Sequence, residues 1–179
     1  MSVEIVYETH SMSVDNERGI ATGWLDGELS ERGTELAQEL GTRRRDDGIA
    51  AVFTSDLGRA VETAMIAFGG SGLPIHRDWR LRECNYGELN GMPVSTLESE
   101  RSGRLDEPFP AGESYRQVVE RVHEFLRDLP AELDGKRIVV IGHAATRWAL
   151  EHLLVGTPLE DLVDAPFQWQ EGWNYVLTR

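Results

Sequence analysis

The sequence predicts a single α/β domain, residues 1–179, built in three layers: a mostly parallel sheet with helices on both faces. Three observations lead there. Short unbroken apolar runs, Ile5 to Tyr7 and Ile138 to Ile141, read as strands buried on both sides, as parallel strands are. Such runs alternate with stretches of helical spacing, which is the pattern of an α/β sheet. The length of 179 residues, with 40% hydrophobic and 27% charged side chains, suits one globular domain whose core needs no covalent staple.

Taken in order, Val3 to Thr9 reads as the first strand, followed by a glycine-containing loop from Gly19 to Gly27. Ser30 caps a helix with Leu36, Ala37 and Leu40 on one face. Ala51 to Thr54 is a second strand. Ser55 or Asp56 then caps a helix bearing Leu57, Ala60, Val61, Ala64, Met65 and Phe68, stopped by Gly69-Gly70. Pro74 to His76 is a brief third strand. Leu81 to Pro110 lacks clear periodicity and reads as an excursion over the sheet. A helix from Ser114 turns Tyr115, Val118, Val119, Val122, Phe125, Leu126 and Leu129 inward and ends at Pro130. The strand to Ile141, a helix from about Ala144 to Leu154 and a short strand, Asn174 to Leu177, complete the chain.

Composition excludes several roles. A net charge of −13 argues against nucleic acid or an anionic membrane as partner, since both are bound through basic patches. The Arg43-Arg44-Arg45 run, followed at once by Asp46-Asp47, is expected to decorate a helix end. The single cysteine, Cys84, rules out an internal disulfide and a thiolate metal cluster. It is expected as a small buried residue. No stretch approaches the ~20 apolar residues a membrane span needs, and MSVEIVYETH lacks the pattern of a signal peptide. The expectation is a cytoplasmic protein; a homodimer is left open.

Chemistry enters with two histidines. His10 follows the first strand, and His143 follows the strand ending Ile141-Gly142. Open α/β sheets place ligands beyond the carboxyl ends of their strands, so both imidazoles are candidates for one crevice. Arg59 lies in the first turn of a helix after a strand, where free N–H groups and the helix dipole already favour anions. Glu83, in Leu81-Arg82-Glu83, is by itself a loop carboxylate; beside two histidines and an arginine it becomes a candidate proton donor. Trp24, Trp169 and Trp173 are candidates for core packing or for stacking on a substrate ring. His76, His123 and His152 carry no assigned chemistry.

These residues lie in blocks that resemble the histidine phosphatase superfamily, the phosphoglycerate mutase-like fold. His10 to Asn16, with Gly19, Gly23-Trp24 and Leu29-Ser30-Glu31-Arg32-Gly33, is similar to the family's opening block. Ser55-Asp56-Leu57-Gly58-Arg59-Ala60-Val61-Glu62-Thr63-Ala64 is similar almost letter for letter to its second. Leu81-Arg82-Glu83 with Gly87 and Gly91, Pro110-Ala111-Gly112-Glu113-Ser114, and Gly142-His143-Ala144 follow in the family's order.

The resemblance implies a phosphatase acting on a small phosphorylated metabolite, with no metal and no cofactor. It makes His10 the phosphoryl acceptor, Arg59 and His143 the groups that hold the phosphoryl oxygens, and Glu83 the acid and base. Ser13 and Asn16 are further phosphate donors. One departure stands out. The family opens Arg-His-Gly, whereas this chain has Thr9-His10-Ser11, exchanging a bidentate charged fork for one neutral hydroxyl. Arg147, four residues after His143, is the candidate replacement. Alternatively the pocket serves as a non-catalytic or repurposed phosphate-ligand binder. A phosphomutase is less favoured, because the excursion is short and offers only Arg101 and Arg104.

Overall fold

The computed structural model describes all residues 1–179. The first strand, β1 (Ser2–Thr9), runs beside the main late strand, β6 (Arg137–Gly142). Between them in sequence lie β3 (Ile49–Thr54) and β4 (Ile75–Arg77), and β7 (Trp173–Thr178) closes the chain. These five form one sheet in the order β4-β3-β6-β1-β7. Every pairing is parallel except that of β1 with β7.

Alternation along β6 explains the layers. Val139 and Ile141 face a small cluster with Leu40, Ala60, Ala64 and Phe68, which come from α2 (Glu31–Arg44) and α3 (Gly58–Phe68). Ile138 and Val140 face the larger cluster with Val118, Val122, Phe125 and Trp148, from α5 (Tyr115–Arg127) and α6 (Ala144–Val155). A strand that meets helices on both faces must be apolar at successive positions, which is why it reads as a continuous run. Each fully buried aliphatic or aromatic side chain contributes about 1.5–3 kcal/mol.

Several short elements depart from the sequence reading. The first loop region holds α1 (Val14–Arg18) and β2 (Ile20–Ala21), and the excursion holds β5 (Met92–Pro93), paired with β2, and α4 (Val94–Glu100). A final helix, α7 (Leu159–Asp164), precedes the tail to β7. The cap of α3 is Leu57 rather than Ser55 or Asp56. Ser55 instead accepts the Leu57 N–H, and Asp56 is held by Arg82 at 2.6 and 2.7 Å. Met65 is half exposed instead of packed inward, and α5 ends at Arg127, before Pro130. Cys84 is buried, as expected. No helix is long and apolar enough to cross a membrane.

Candidate active site

Thr9 pairs with Gly142 in the β1–β6 register, and the His10 N–H donates to the Gly142 carbonyl at 2.9 Å. The two chains therefore leave the sheet together, and the rings of His10 and His143 stand 5.1 Å apart, tilted by 51°. Gly33 lets the start of α2 close on this turn, since a Cβ there would lie 1.8 Å from the Met12 carbonyl oxygen. The Ser11 N–H donates to Thr63 Oγ1, and the Thr63 hydroxyl donates to the Arg59 carbonyl, so α3 braces the His10 turn.

The hydrogen bonds fix which nitrogens can react. His10 Nδ1 lies 2.6 Å from the Ser11 carbonyl oxygen. A carbonyl only accepts, so Nδ1 carries the proton and Nε2 keeps its lone pair. His143 Nε2 lies 2.9 Å from Ser55 Oγ, while its Nδ1 is buried without a partner. Arg59 is almost wholly buried; Nη2 donates to the Gly23 carbonyl at 2.8 Å and Nη1 has no partner. No carboxylate forms an ion pair with it. A buried guanidinium without a carboxylate, beside a buried imidazole with a free nitrogen, is an electrostatic setting for an anion.

Glu83 is buried close by. Its Oε1 accepts from the Cys84 N–H at 2.8 Å and the Ala145 N–H at 3.3 Å. Burial raises its carboxyl above the usual range, against the opposing pull of the Cys84 N–H and Arg59. Its backbone carbonyl is held by Trp24 Nε1 at 2.7 Å and Arg121 Nη2 at 2.9 Å. Arg121 also donates to the carbonyls of Arg80 and Arg82 and to the Glu113 carboxylate. The Glu83 loop is thereby clamped from beneath. Sequence reading passed over Arg121, although a cation among Val118, Val122 and Phe125 on the inward face of a helix was a visible signal.

Burial and the Arg59 charge push His10 down to about 3, and the same causes push His143 well below the ordinary histidine value of 6.5. Both are therefore neutral at pH 7. Between about 3 and 6.5 the unfolded chain binds a proton at His10 that the folded chain excludes. Their contribution to stability is complete above pH 6.5 and is lost as pH falls through that window. His10 stays partly open to the cavity, so water tempers its share and His143 carries more. Acidification from pH 7 to 5 is thus expected to lower the melting temperature more for the native chain than for His143→Asn. Parallel curves for the two proteins would contradict this origin of acid sensitivity.

Thr9, His10, Asn16, Arg59, Glu83 and His143 all line one cavity of about 820 Å³. Two other sequence candidates do not. Ser13 is buried and caps α1 in a capping box with Asn16, in which the Ser13 hydroxyl oxygen accepts the Asn16 N–H and the Asn16 Oδ1 accepts the Ser13 N–H. Asn16 keeps only its amide NH₂ for a ligand. Arg147 lies outside the lining, with its guanidinium 5.2 Å from the Trp173 ring and 3.8 Å from Glu151. The reason is geometric: His143 is the extended N-cap of α6, so the four-residue spacing does not place Arg147 above it. Arg147 is not the replacement for the absent arginine.

The tryptophans divide similarly. Trp24 stacks on Arg82 and Trp173 packs on Tyr7, while Trp169 alone of the three lines the cavity. Arg43 and Arg44 do more than decorate a helix end, since they clamp the buried Glu8 at 3.3 and 2.7 Å. With its oxygens so committed, Glu8 is not an alternative proton donor.

Comparison with known proteins finds relatives of this chain. A family model described as "Histidine phosphatase superfamily (branch 1)" matches residues 9–171. The chain is 30% identical over 215 residues to a 2,3-bisphosphoglycerate-dependent phosphoglycerate mutase of Haemophilus ducreyi, covering 98% of this chain and 94% of that protein. Among solved structures it is similar to YhfR of Bacillus stearothermophilus, with a TM-score of 0.83, 26% identity and coverage of 97% and 89% of the two chains. The alpha-ribazole phosphatase of Shigella flexneri gives a TM-score of 0.78, 26% identity and coverage of 89% and 83%.

Proposed function

Because this chain belongs to the histidine phosphatase superfamily, we propose that it hydrolyses a small-molecule phosphate monoester through a phosphohistidine on His10. The observation that carries the reading is the His10 Nδ1 contact with the Ser11 carbonyl, which leaves Nε2 as an unprotonated nucleophile near the unpaired nitrogens of Arg59 and His143. Nε2 attacks phosphorus, and the bond to the leaving oxygen breaks. The protonated Glu83 carboxyl supplies a proton to that oxygen. Water then attacks the phosphohistidine, Glu83 takes its proton, and the P–N bond breaks to return neutral His10 and inorganic phosphate. Arg59 and His143 meet the charge of both transition states. Donors already fixed in place need no reorganisation as that charge develops.

We favour hydrolysis over phosphate relocation on two grounds. The 215-residue alignment is longer than this 179-residue chain, so the mutase relative carries insertions absent here. A mutase must also hold a second phosphate and exclude water. Here Arg43 is tied to Glu8, and Arg32 is tied to Glu35 and Glu39, so beyond Arg59 only Arg101 lines the cavity outside an ion pair. A specific observation keeps a second reading in view: Thr9 stands where the family has arginine, which fits a phosphate-ligand binder with little turnover.

Phosphate release from phenyl phosphate, measured in the presence of a chelator, separates these readings. The proposal expects steady multiple-turnover release. Binding of inorganic phosphate with no release would favour the binder, and interconversion of phosphoglycerates without phosphate release would favour the mutase.

A further inference from the structure

Three adjacent strands, β3, β6 and β1, are followed directly by Ser55, His143 and His10. Parallel register carries these residues out of the sheet side by side. The Ser55 N–H donates to the Ile141 carbonyl at 3.0 Å, as the His10 N–H donates to that of Gly142. Ser55 is wholly buried and His143 almost so. The His143 backbone is fixed in turn by the Tyr7 hydroxyl, which donates to its carbonyl at 2.5 Å. Gly142 makes room for that contact, since a Cβ there would lie 2.8 Å from the Tyr7 hydroxyl oxygen. The imidazole therefore has little freedom, and its one side-chain partner is Ser55.

A serine hydroxyl has one proton and two lone pairs to place. The Leu57 N–H, with its nitrogen 3.2 Å away, can only donate, so it takes a lone pair of Ser55 Oγ. His143 Nε2, 2.9 Å away, is the other partner of that oxygen and the one acceptor within reach of its proton. Were Nε2 protonated instead, two donors would point at Oγ and the buried hydroxyl proton would have no acceptor. Nδ1 would then be a bare lone pair, which repels an anion. With the proton on Nδ1, every group at this turn is paired except that N–H, which has no partner in the protein. A buried polar group left unpaired is costly, and a ligand that pairs it gains accordingly. Burial and the Arg59 charge keep the ring from taking a second proton.

We infer that Ser55 is a positioning residue: it donates its hydroxyl proton to His143 Nε2 and so holds that imidazole as the neutral Nδ1–H tautomer, which offers a phosphoryl oxygen a hydrogen-bond donor instead of a lone pair. The two histidines then use one tautomer in two ways. In His10 the Ser11 carbonyl occupies the Nδ1 proton and leaves the Nε2 lone pair to attack. In His143 the Ser55 hydroxyl occupies Nε2 and leaves the Nδ1 proton to donate. The consequence for catalysis rests on the phosphatase reading; the tautomer and its part in phosphate binding do not.

Nitrogen NMR of the histidine-labelled protein reads the tautomer directly. In a long-range proton–nitrogen correlation spectrum, Nε2 is the ring nitrogen coupled to both carbon-bound ring protons, and its shift reports whether it is protonated. The His143 signals are assigned by their loss in His143→Asn. Without phosphate at neutral pH, the native protein should show His143 with a bare Nε2. Ser55→Ala should move the proton to Nε2, weaken binding of inorganic phosphate, and lower turnover of phenyl phosphate on the order of 10²-fold, the scale of removing one charge-stabilising donor. Ser55→Thr keeps the hydroxyl and should restore the native tautomer and most of the turnover; if its added methyl unfolds the protein, the native and alanine spectra decide. A protonated Nε2 in the native protein, an unchanged tautomer in folded Ser55→Ala, or native phosphate affinity in that variant despite a shifted proton would overturn the inference. Absence of turnover on every ester, with the spectra and phosphate binding as expected, would count against the phosphatase reading alone.

Discussion

Replacing His10 with alanine is expected to lower phosphatase turnover on the order of 10⁴-fold or more, the scale on which removing a covalent nucleophile acts. The loss should be in kcat, because Arg59 and His143 would still offer their unpaired nitrogens to the phosphoryl oxygens. Phosphate affinity should therefore survive. The fold should survive as well, since His10 stands past the end of β1, partly open to the cavity, and contributes to neither hydrophobic cluster. Circular dichroism and inorganic phosphate binding, measured beside turnover, separate a dead site from a broken protein. Turnover at the native rate in a folded His10→Ala protein would remove the basis of the mechanism.

Glu83→Gln carries the second large effect, and its size depends on the leaving group. Glutamine keeps the acceptor for the Cys84 and Ala145 N–H groups but has no proton to give. General acid catalysis contributes about 10²–10⁴-fold, and poor alkoxide leaving groups need it most. Single-turnover phosphorylation by an alkyl phosphate should therefore fall by that range, while phosphorylation by an activated aryl phosphate should fall far less. With the aryl ester, water attack then becomes limiting and phosphoenzyme should accumulate. Burial holds the Glu83 carboxyl above its usual range, so the acid-dependent alkyl reaction of the native protein should extend to higher pH than an ordinary glutamate permits. Equal losses for alkyl and aryl esters would move the acid role to another group.

Much of this site is legible in the sequence. β1 and β6 announce themselves because strands covered on both faces must be apolar without interruption, and a polar residue just past such a run stands out. That is how His10 and His143 could be placed together, and the 5.1 Å between their rings bears it out. Elements such as β2, β5 and α1 were not legible, because two to five residues complete too few periods to register. Arg147 misled for a different reason. Its four-residue spacing from His143 suggests a shared helix face, but His143 caps α6 in an extended conformation and stands outside the helical repeat. Arg121 and the clamp on Glu8 by Arg43 and Arg44 belong to a third kind, where partners 8 to 41 positions apart meet only through the fold.

The most direct test is to trap the intermediate. The native protein is mixed briefly with a radiolabelled aryl phosphate, quenched in base and digested, and the labelled peptide is sequenced by mass spectrometry. The account predicts one acid-labile, base-stable phosphoryl group on His10, absent from His10→Ala. Rapid phosphate release with the label on another residue, or with no protein-bound label under any quench, would contradict it.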